Sequence, residues 1–448
     1  MNTPIYDALQ DYAKRQPIRF HMPGHKGHAP ISAWNPLYAL DITEISGADS
    51  LLEANGIIAE SEQIAAALFF SAGTIYSCAG STGCIQTMLT LMKQENRTIL
   101  AARNVHRSFL NTCVLLGLSV KWIYPETTNG LLSGQYTPEQ FDAALSEIKG
   151  PACVYLTSPD YLGKTADISG IAAVCKQHNA RLLVDNAHGA HLAFLKDGKH
   201  PIQNGADFCC DSAHKTLPCL TGCAYLHAAH AEDVPRLKDA MSLFVSTSPS
   251  YLMLLSLDVC NAYLSSKVQR DLTRICKRAA DLKKRLSEKY VFLDSDPLHL
   301  TIDAAASGMD GLDLGAKLER ADCVPEYADR DFVVLLLSPY QIPEELDVLE
   351  VTLHMLEADP YPETEQKEIM LPHPEIVCGI REAALGEQET IPVAESVGRI
   401  CAAVKVPCPP AVPIVCSGEK INAACVEVLT HYGISEIAVV KGSPNLAD

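Results

Sequence analysis

A chain of 448 residues exceeds one ordinary domain and suits two or three, and 48% apolar residues supply a sizeable core. A formal net charge of −18 argues against nucleic acid or an anionic membrane as the main partner. The 17 cysteines are scattered without a CxxC pair, several within apolar strand-like runs, so they read as free thiols.

The start, MNTPIYDALQDY, lacks the basic and apolar regions of a signal peptide, and no apolar stretch is long enough to cross a bilayer. A reduced, cytoplasmic, soluble protein is the expectation.

The first chemistry-bearing stretch is IYSCA, followed by Gly80-Ser81-Thr82-Gly83 and a helical pattern, CIQTMLTLMK. Short apolar runs then predict buried strands over Thr98–Ala102, Val120–Tyr124, Ala152–Leu156, Ala180–Asp185 and Ala206–Asp211. Helices fall between some of them. One starts at Thr137 as N-cap, with Pro138 at the first position and Gln140 completing a capping box; another runs through ISGIAAVCKQHN. This alternation predicts an α/β domain with a largely parallel sheet covered on both faces.

A helical stretch over Leu257–Lys289 then leads into PLHLTID and DFVVLLLSP, which suggest a smaller α+β domain. The segment LEADPYPETEQKEIMLPHPE reads as a linker. From Leu371 onward the chain begins with helical signals and closes on EIAVVKG, a third part.

Polar groups collect where the predicted strands end. Ser81 and Thr82 between glycines, at the start of a helix, offer hydroxyls and backbone N–H groups to a phosphate, although an ordinary N-cap looks the same. His106 follows one strand; Asp185 ends another, with His188 three residues on; Ser212, His214 and Lys215 follow a third. Singly, these are a loop histidine, a capping carboxylate and a solvated lysine. Ligands of open α/β sheets bind beyond the carboxyl ends of the strands, and the set matches what pyridoxal 5′-phosphate (PLP) demands. Its phosphate needs N–H and hydroxyl donors, its ring nitrogen a carboxylate, its aldehyde an amine.

At these residues the chain resembles the Orn/Lys/Arg decarboxylases, PLP enzymes of fold type I, in the short form without an N-terminal wing domain. The resemblance rests on FHMPGHKG, DITEISGADSL, RNVHRSF, TSPDYLGKTADI, VDNAHGAH, DSAHKTLPCLTG and STSPSYLMLLSLD, and more weakly on GRICAAVKVPCPPAVPIVCSGE. It implies an α/β/α large domain with a mostly parallel sheet, a smaller α+β domain and a C-terminal α+β domain. The corresponding segments are 1–50 (contributing to the active site), 51–255 (PLP-binding), 256–365 (small domain) and 366–448 (decarboxylase-type).

The resemblance also implies roles. Lys215 is expected as the Schiff-base lysine, Asp185 as partner of the pyridinium nitrogen, and His106 as the ring stacked on the cofactor. His188 falls near cofactor and substrate carboxylate. Ser81, Thr82, Gly83, Ser212 and His214 would hold the phosphate, with Ser246 and Ser248 reaching it across a homodimer with shared sites. Ser158, or Thr157, would lie near the phenolic oxygen. The expected reaction is decarboxylation of arginine, lysine or ornithine, a lyase activity of polyamine metabolism, with no metal. His25 and Lys26 are expected to complete the site. Asp41, Glu44, Asp49 and Glu326 are acidic candidates for the cationic end of the substrate.

The chain departs from the family pattern at His28, where PGHKGG is usual, and at Ala411 and Ser417, where PPGIP…PGE is usual. Two rivals are carried. Another fold-type-I reaction, an aminotransferase or Cα–S lyase, is disfavoured because LLLSPYQIP has no arginine to clamp a carboxylate. A zinc hydrolase on Asp185, His188 and His191 leaves Lys215 unexplained.

Overall fold

The computed structural model describes residues 2–361, 371–402 and 412–442. Ala411 and residues 362–370 of the Pro- and Glu-rich linker expected from sequence lie outside the described residues.

The strands begin in chain order with β1 (Gly73–Ser77), β2 (Thr98–Ala102), β3 (Val120–Ile123), β4 (Thr127–Asn129) and β5 (Ser133–Gln135). They continue with β6 (Ala152–Thr157), β7 (Arg181–Asp185), β8 (Phe208–Asp211) and β9 (Ala224–Ala228). The chain forms two compact units, one of Met1–Leu91, Leu182–Arg274 and Ser338–Tyr340, the other of Met92–Arg181, Ile275–Leu337 and Gln341–Asp448.

In the first unit the strand order is β1-β9-β8-β7, with β7 and β8 parallel and β9 antiparallel to both its neighbours. In the second, β6-β2-β3 are parallel throughout. Such strands are buried along their length and read as unbroken apolar runs, which is why TILAA and ACVYLT are legible in sequence. β9 was not anticipated, because AYLHA carries a histidine in mid-strand; His227 is nonetheless fully buried.

The capping box is present: Gln140 Oε1 accepts from the Thr137 amide at 3.0 Å, and the helix runs Pro138–Ser146. The long helical stretch expected over Leu257–Lys289 is instead two helices, Tyr251–Ser266 and Val268–Leu286, parted at Lys267. The first is apolar on most sides and the second strongly amphipathic, and the sequence periodicity runs through the junction without a Gly or Pro to mark it.

The remaining strands belong to the second unit. β10 (Val291–Phe292), β11 (His299–Asp303), β12 (Tyr327–Ala328) and β13 (Phe332–Leu336) form an antiparallel sheet ordered β10-β11-β13-β12. Leu300, Ile302 and Val333 of this sheet pack with Leu314, Leu318 and Leu353. β14 (Gln388–Pro392) and β15 (Glu436–Val440) pair antiparallel over a separate core that includes Val393, Ile414, Ile421 and Leu429. Among the described residues no helix is long and apolar enough to cross a membrane.

Candidate active site

In the first unit the helix Gly80–Gln94 follows β1 through a turn in which Gly80 has φ +63°. Ser77 Oγ locks this turn by donating to the Gly80 carbonyl at 3.1 Å and accepting from the Ala79 amide at 3.1 Å. The next residues therefore present the helix's first N–H groups, which have no acceptor inside the helix. A Cβ at Gly83 would lie 3.0 Å from Ala79 Cβ and 3.2 Å from Ser77 Oγ, so this turn packs closely only with glycine. Ser81 is buried and its Oγ is 2.8 Å from Ser212 Oγ; Thr82 is exposed. The two serines, from stretches 131 residues apart, thus form one hydroxyl pair.

Parallel pairing sets Asp185 beside Cys210 at the ends of β7 and β8. The Asp185 carboxylate is buried and accepts from the Ala187 amide at 3.2 Å and from Cys210 Sγ at 3.6 Å. Beyond it the turn closes through the Gly189 amide on the Asn186 carbonyl at 2.8 Å and brings His188 round. His188 Nε2 is 2.8 Å from Lys215 Nζ. Lys215 lies on the short helix Ala213–Thr216, directly after β8. Asp185, His188, Ser212 and Lys215 thus stand at the ends of two adjacent parallel strands. His214 Nδ1 is 2.9 Å from the Cys223 carbonyl, which makes Nδ1 the protonated nitrogen.

Ser246 and Ser248 sit on an exposed loop, where Ser246 Oγ accepts from the Ser248 amide at 3.1 Å. His25 Nε2 is 3.1 Å from Asp41 Oδ2 and its Nδ1 accepts from the Gly27 amide at 2.9 Å, so this histidine ties PGHKG to DITE. Lys26 Nζ donates to the His21 carbonyl at 2.6 Å. Gly27, at φ +86°, would put a Cβ 2.8 Å from Arg19 Cζ, whereas His28 has no positive φ. The departure from PGHKGG thus falls at the position where the backbone does not need glycine.

Of the acidic candidates, Asp49 is committed elsewhere. It is buried and accepts from the amides of Ser50, Asn55, Gly56, Ile58 and Ala59, capping the helix Ile57–Phe69. Burial pushes its carboxyl up, but these bonds outweigh it and hold the pKa below the usual value. Glu44 bonds to Thr43 on the surface, and Glu326, in the second unit, accepts from the Tyr161 hydroxyl at 3.1 Å.

In the second unit His106 caps the helix Arg107–Leu116: its Nδ1 accepts from the Ser108 amide at 3.2 Å and lies 2.7 Å from Ser108 Oγ. That fixes the ring plane and leaves the neutral ring's proton on Nε2. Three residues earlier, Arg103 is wholly buried. It donates to the carbonyls of Pro413 and Ile414 at 2.9 and 3.1 Å and to Glu419 Oε2 at 3.3 Å. The C-terminal CSGE motif therefore grips the strand end that carries His106, a link sequence reasoning missed. Its signal was an arginine in an otherwise apolar strand end. Gly418 has φ +87° and a Cβ there would lie 2.4 Å from the Cys378 carbonyl, while Ser417 beside it is buried and has no positive φ. Ser158 is buried and its Oγ accepts from the Ala166 amide at 3.0 Å.

The zinc alternative does not hold. Among the described residues, the metal-ligating groups that converge are His200, Cys209 and Asp211, not Asp185, His188 and His191.

This fold is shared with fold-type-I PLP enzymes. Lysine decarboxylase LdcF of Francisella novicida superposes with a TM-score of 0.79 at 18% identity, over 97% of this chain and 79% of that one. The constitutive lysine decarboxylase of Escherichia coli gives a TM-score of 0.79 at 18% identity, over 98% and 82%. In sequence, an arginine decarboxylase of Bacillus subtilis (strain 168) is 30% identical over 94% of this chain and 91% of its own length. The profile described as "Orn/Lys/Arg decarboxylase, major domain" matches residues 3–305, and that of the C-terminal domain matches residues 364–435. The chain belongs to the Orn/Lys/Arg decarboxylase family, and it is a decarboxylase.

Proposed function

We propose that this decarboxylase acts on arginine in first place, with lysine and ornithine behind it, using PLP attached through Lys215. The observation that carries the reading is the contact between Lys215 Nζ and His188 Nε2, with Asp185 on the adjacent strand end and the Ser81–Ser212 hydroxyl pair at a helix start. These donors fit the cofactor's three demands, for an amine, a carboxylate and a phosphate cradle.

When bound, PLP supplies the electron sink for the pair released as the bond from Cα to the carboxylate breaks. Lys215 must be a free base to act as nucleophile, and His188 Nε2 is placed to take its proton. Asp185 would hold a proton on the ring nitrogen. The Ser81, Thr82 and Gly83 turn, with Ser212 and His214, binds the phosphate. Ser158 has its own hydroxyl hydrogen left to donate to the phenolic oxygen. His106 is assigned to the ring face, with its Nε2–H able to return a proton at Cα. Lys215 would be the amine that takes the product's place on the cofactor.

The remaining assignments rest on the family pattern. Residues 51–255 are the cofactor-binding segment, 1–50 complete the site, 256–365 form the small domain and 366–448 the C-terminal one. The enzyme works in the cytoplasm as a homodimer in which Ser246 and Ser248 serve the partner's phosphate. Ile18, Phe20, Met22 and Trp34 are each exposed in the N-terminal segment, apolar surface that a second copy would cover.

The test measures carbon dioxide release from arginine, lysine and ornithine, with glutamate and leucine as controls. Arginine should be turned over fastest, because a site shaped for a planar guanidinium leaves donors and acceptors unpaired around an ammonium. Turnover of the controls and not of the basic amino acids would overturn the substrate class.

A further inference from the structure

β8 has two faces with different surroundings. Cys210 turns toward Asp185, while Cys209 and Asp211 share the opposite face, and His227 of β9 stands directly across from Cys209. On that face the Asp211 carboxylate is fully buried. Its Oδ1 accepts from Asn186 Nδ2 at 2.7 Å and from Cys209 Sγ at 3.5 Å. Its Oδ2 lies 2.9 Å from His200 Nε2 and 3.2 Å from His227 Nε2. Four donors thus meet the four lone-pair positions of one carboxylate.

The rest of the network fits that assignment. His227 Nδ1 lies 2.8 Å from Thr74 Oγ1, so the Thr74 hydroxyl can donate to Nδ1 while Nε2 carries its proton toward Asp211. The ring of Phe69 packs on both imidazoles, at centroid distances of 5.4 and 4.5 Å. Burial drives His227 toward its neutral form; it also pushes the Asp211 carboxyl up, but the histidine contacts outweigh this and hold Asp211 well below the carboxylate range.

Asn186 connects this network to the candidate site. Its amide donates to the Cys210 carbonyl at 2.9 Å, and its side chain donates to Asp211, so one residue is pinned by two successive residues of β8. Asn186 directly follows Asp185 and precedes His188 by two residues; Asp211 precedes Lys215 by four.

We propose that Asp211, held by His200 and His227, is a positioning residue that clamps Asn186 and thereby fixes the carboxylate of Asp185 and the His188–Lys215 contact. The inference rests on the reading of Lys215 and Asp185 as cofactor-binding groups. The ligand atoms of His200, Cys209 and Asp211 also lie within 4.8 Å of one another, close enough for a divalent cation. Direct hydrogen-bond distances to both carboxylate oxygens, and an amide donor aimed at one of them, favour the metal-free network.

The experiment uses the full-length enzyme loaded with PLP, as wild type, Asn186→Ala, Asp211→Asn and His227→Gln. Asn186→Ala removes one donor at the edge of the network and tests the clamp even if Asp211→Asn fails to fold. It should lower kcat by tenfold or more with KM within about twofold, and should shift the visible absorbance band of the bound cofactor. His227→Gln, which keeps an N–H donor, should retain most of the wild-type spectrum and rate. A lower melting temperature for Asn186→Ala, with rate and spectrum unchanged, would overturn the positioning role while leaving the proposed function standing. A wild type with neither a cofactor band nor carbon dioxide release would overturn both. Stoichiometric zinc in the purified wild type would replace the network by a metal site.

Discussion

Lys215 Nζ and His188 Nε2 stand 2.8 Å apart although 27 residues separate them in the chain. The contact exists because β7 and β8 run parallel side by side, so that the turn after Asp185 and the short helix after Asp211 leave the sheet at the same edge. A hydrogen bond between two nitrogens needs a proton on one and a lone pair on the other. On the proposed reading, the pair would hold the lysine amine ready as a nucleophile.

Replacing Asp185 by Asn should leave PLP bound and remove most of the activity. The ring nitrogen loses its ionic partner, a loss on the order of several kcal/mol of transition-state stabilisation. Equilibrium dialysis with a kcat measurement checks it. A variant within a few-fold of wild type would show that Asp185 does not serve the ring.

Shared active sites predict complementation. A Lys215→Ala chain mixed with a Ser246→Ala/Ser248→Ala chain should regain activity, because some heterodimer sites combine the intact lysine of one chain with the intact serines of the other. Activity no higher than that of the separate variants counts against the shared site.

The Arg103–Glu419 pair predicts a large stability effect from the far end of the chain. Glu419→Ala strands a guanidinium that is 0% exposed and should cost about 3–5 kcal/mol. The double change Arg103→Met/Glu419→Leu should cost less than Glu419→Ala alone, because no buried charge is left unpaired. Denaturant midpoints measure both, and additive losses would contradict the account.

Asp160, in the TSPDYLG motif, gives a pH dependence with a definite sign. Burial raises its pKa from 3.8 to about 6, even though its Oδ1 accepts from the Leu162 and Lys164 amides. Between those values the folded chain binds the proton more tightly than the unfolded chain. This group's contribution to stability therefore falls as pH rises from about 4 to about 6 and stays low above that. Asp160→Asn keeps the acceptor and cannot ionise. Relative to wild type it should gain roughly 2 kcal/mol between about pH 4 and about pH 7.5. A stability difference that does not change over that range would refute the assignment.

Much of this was legible in sequence for identifiable reasons. Parallel strands are buried on both faces, so TILAA, ACVYLT, RLLVD and FCCD stand out as apolar runs, and the ends of the last two mark where Asp185 and Lys215 fall. Thr137 and Gln140 announced their helix through a local signal. What escaped depends on partners distant in the chain. The Asp211–His200–His227 network requires the β8–β9 register, and β9 itself was hidden by the histidine that the network buries. Arg103 meets a glutamate 316 residues away, and neither residue's neighbours announce the other. Asp49, offered as a substrate contact, proved to be a helix cap because five amides converge on it only after the chain has turned.

The central claim is that Lys215 holds the cofactor. The direct measurement is to load the enzyme with PLP, reduce it with borohydride, digest it and locate the modified lysine by mass spectrometry. The account predicts a single phosphopyridoxyl group on the Lys215 side chain in the DSAHK peptide. It also predicts that Lys215→Ala gives no such adduct, loses PLP on dialysis and has no turnover. A cofactor fixed to another lysine, or a Lys215→Ala enzyme as active as wild type, would contradict it.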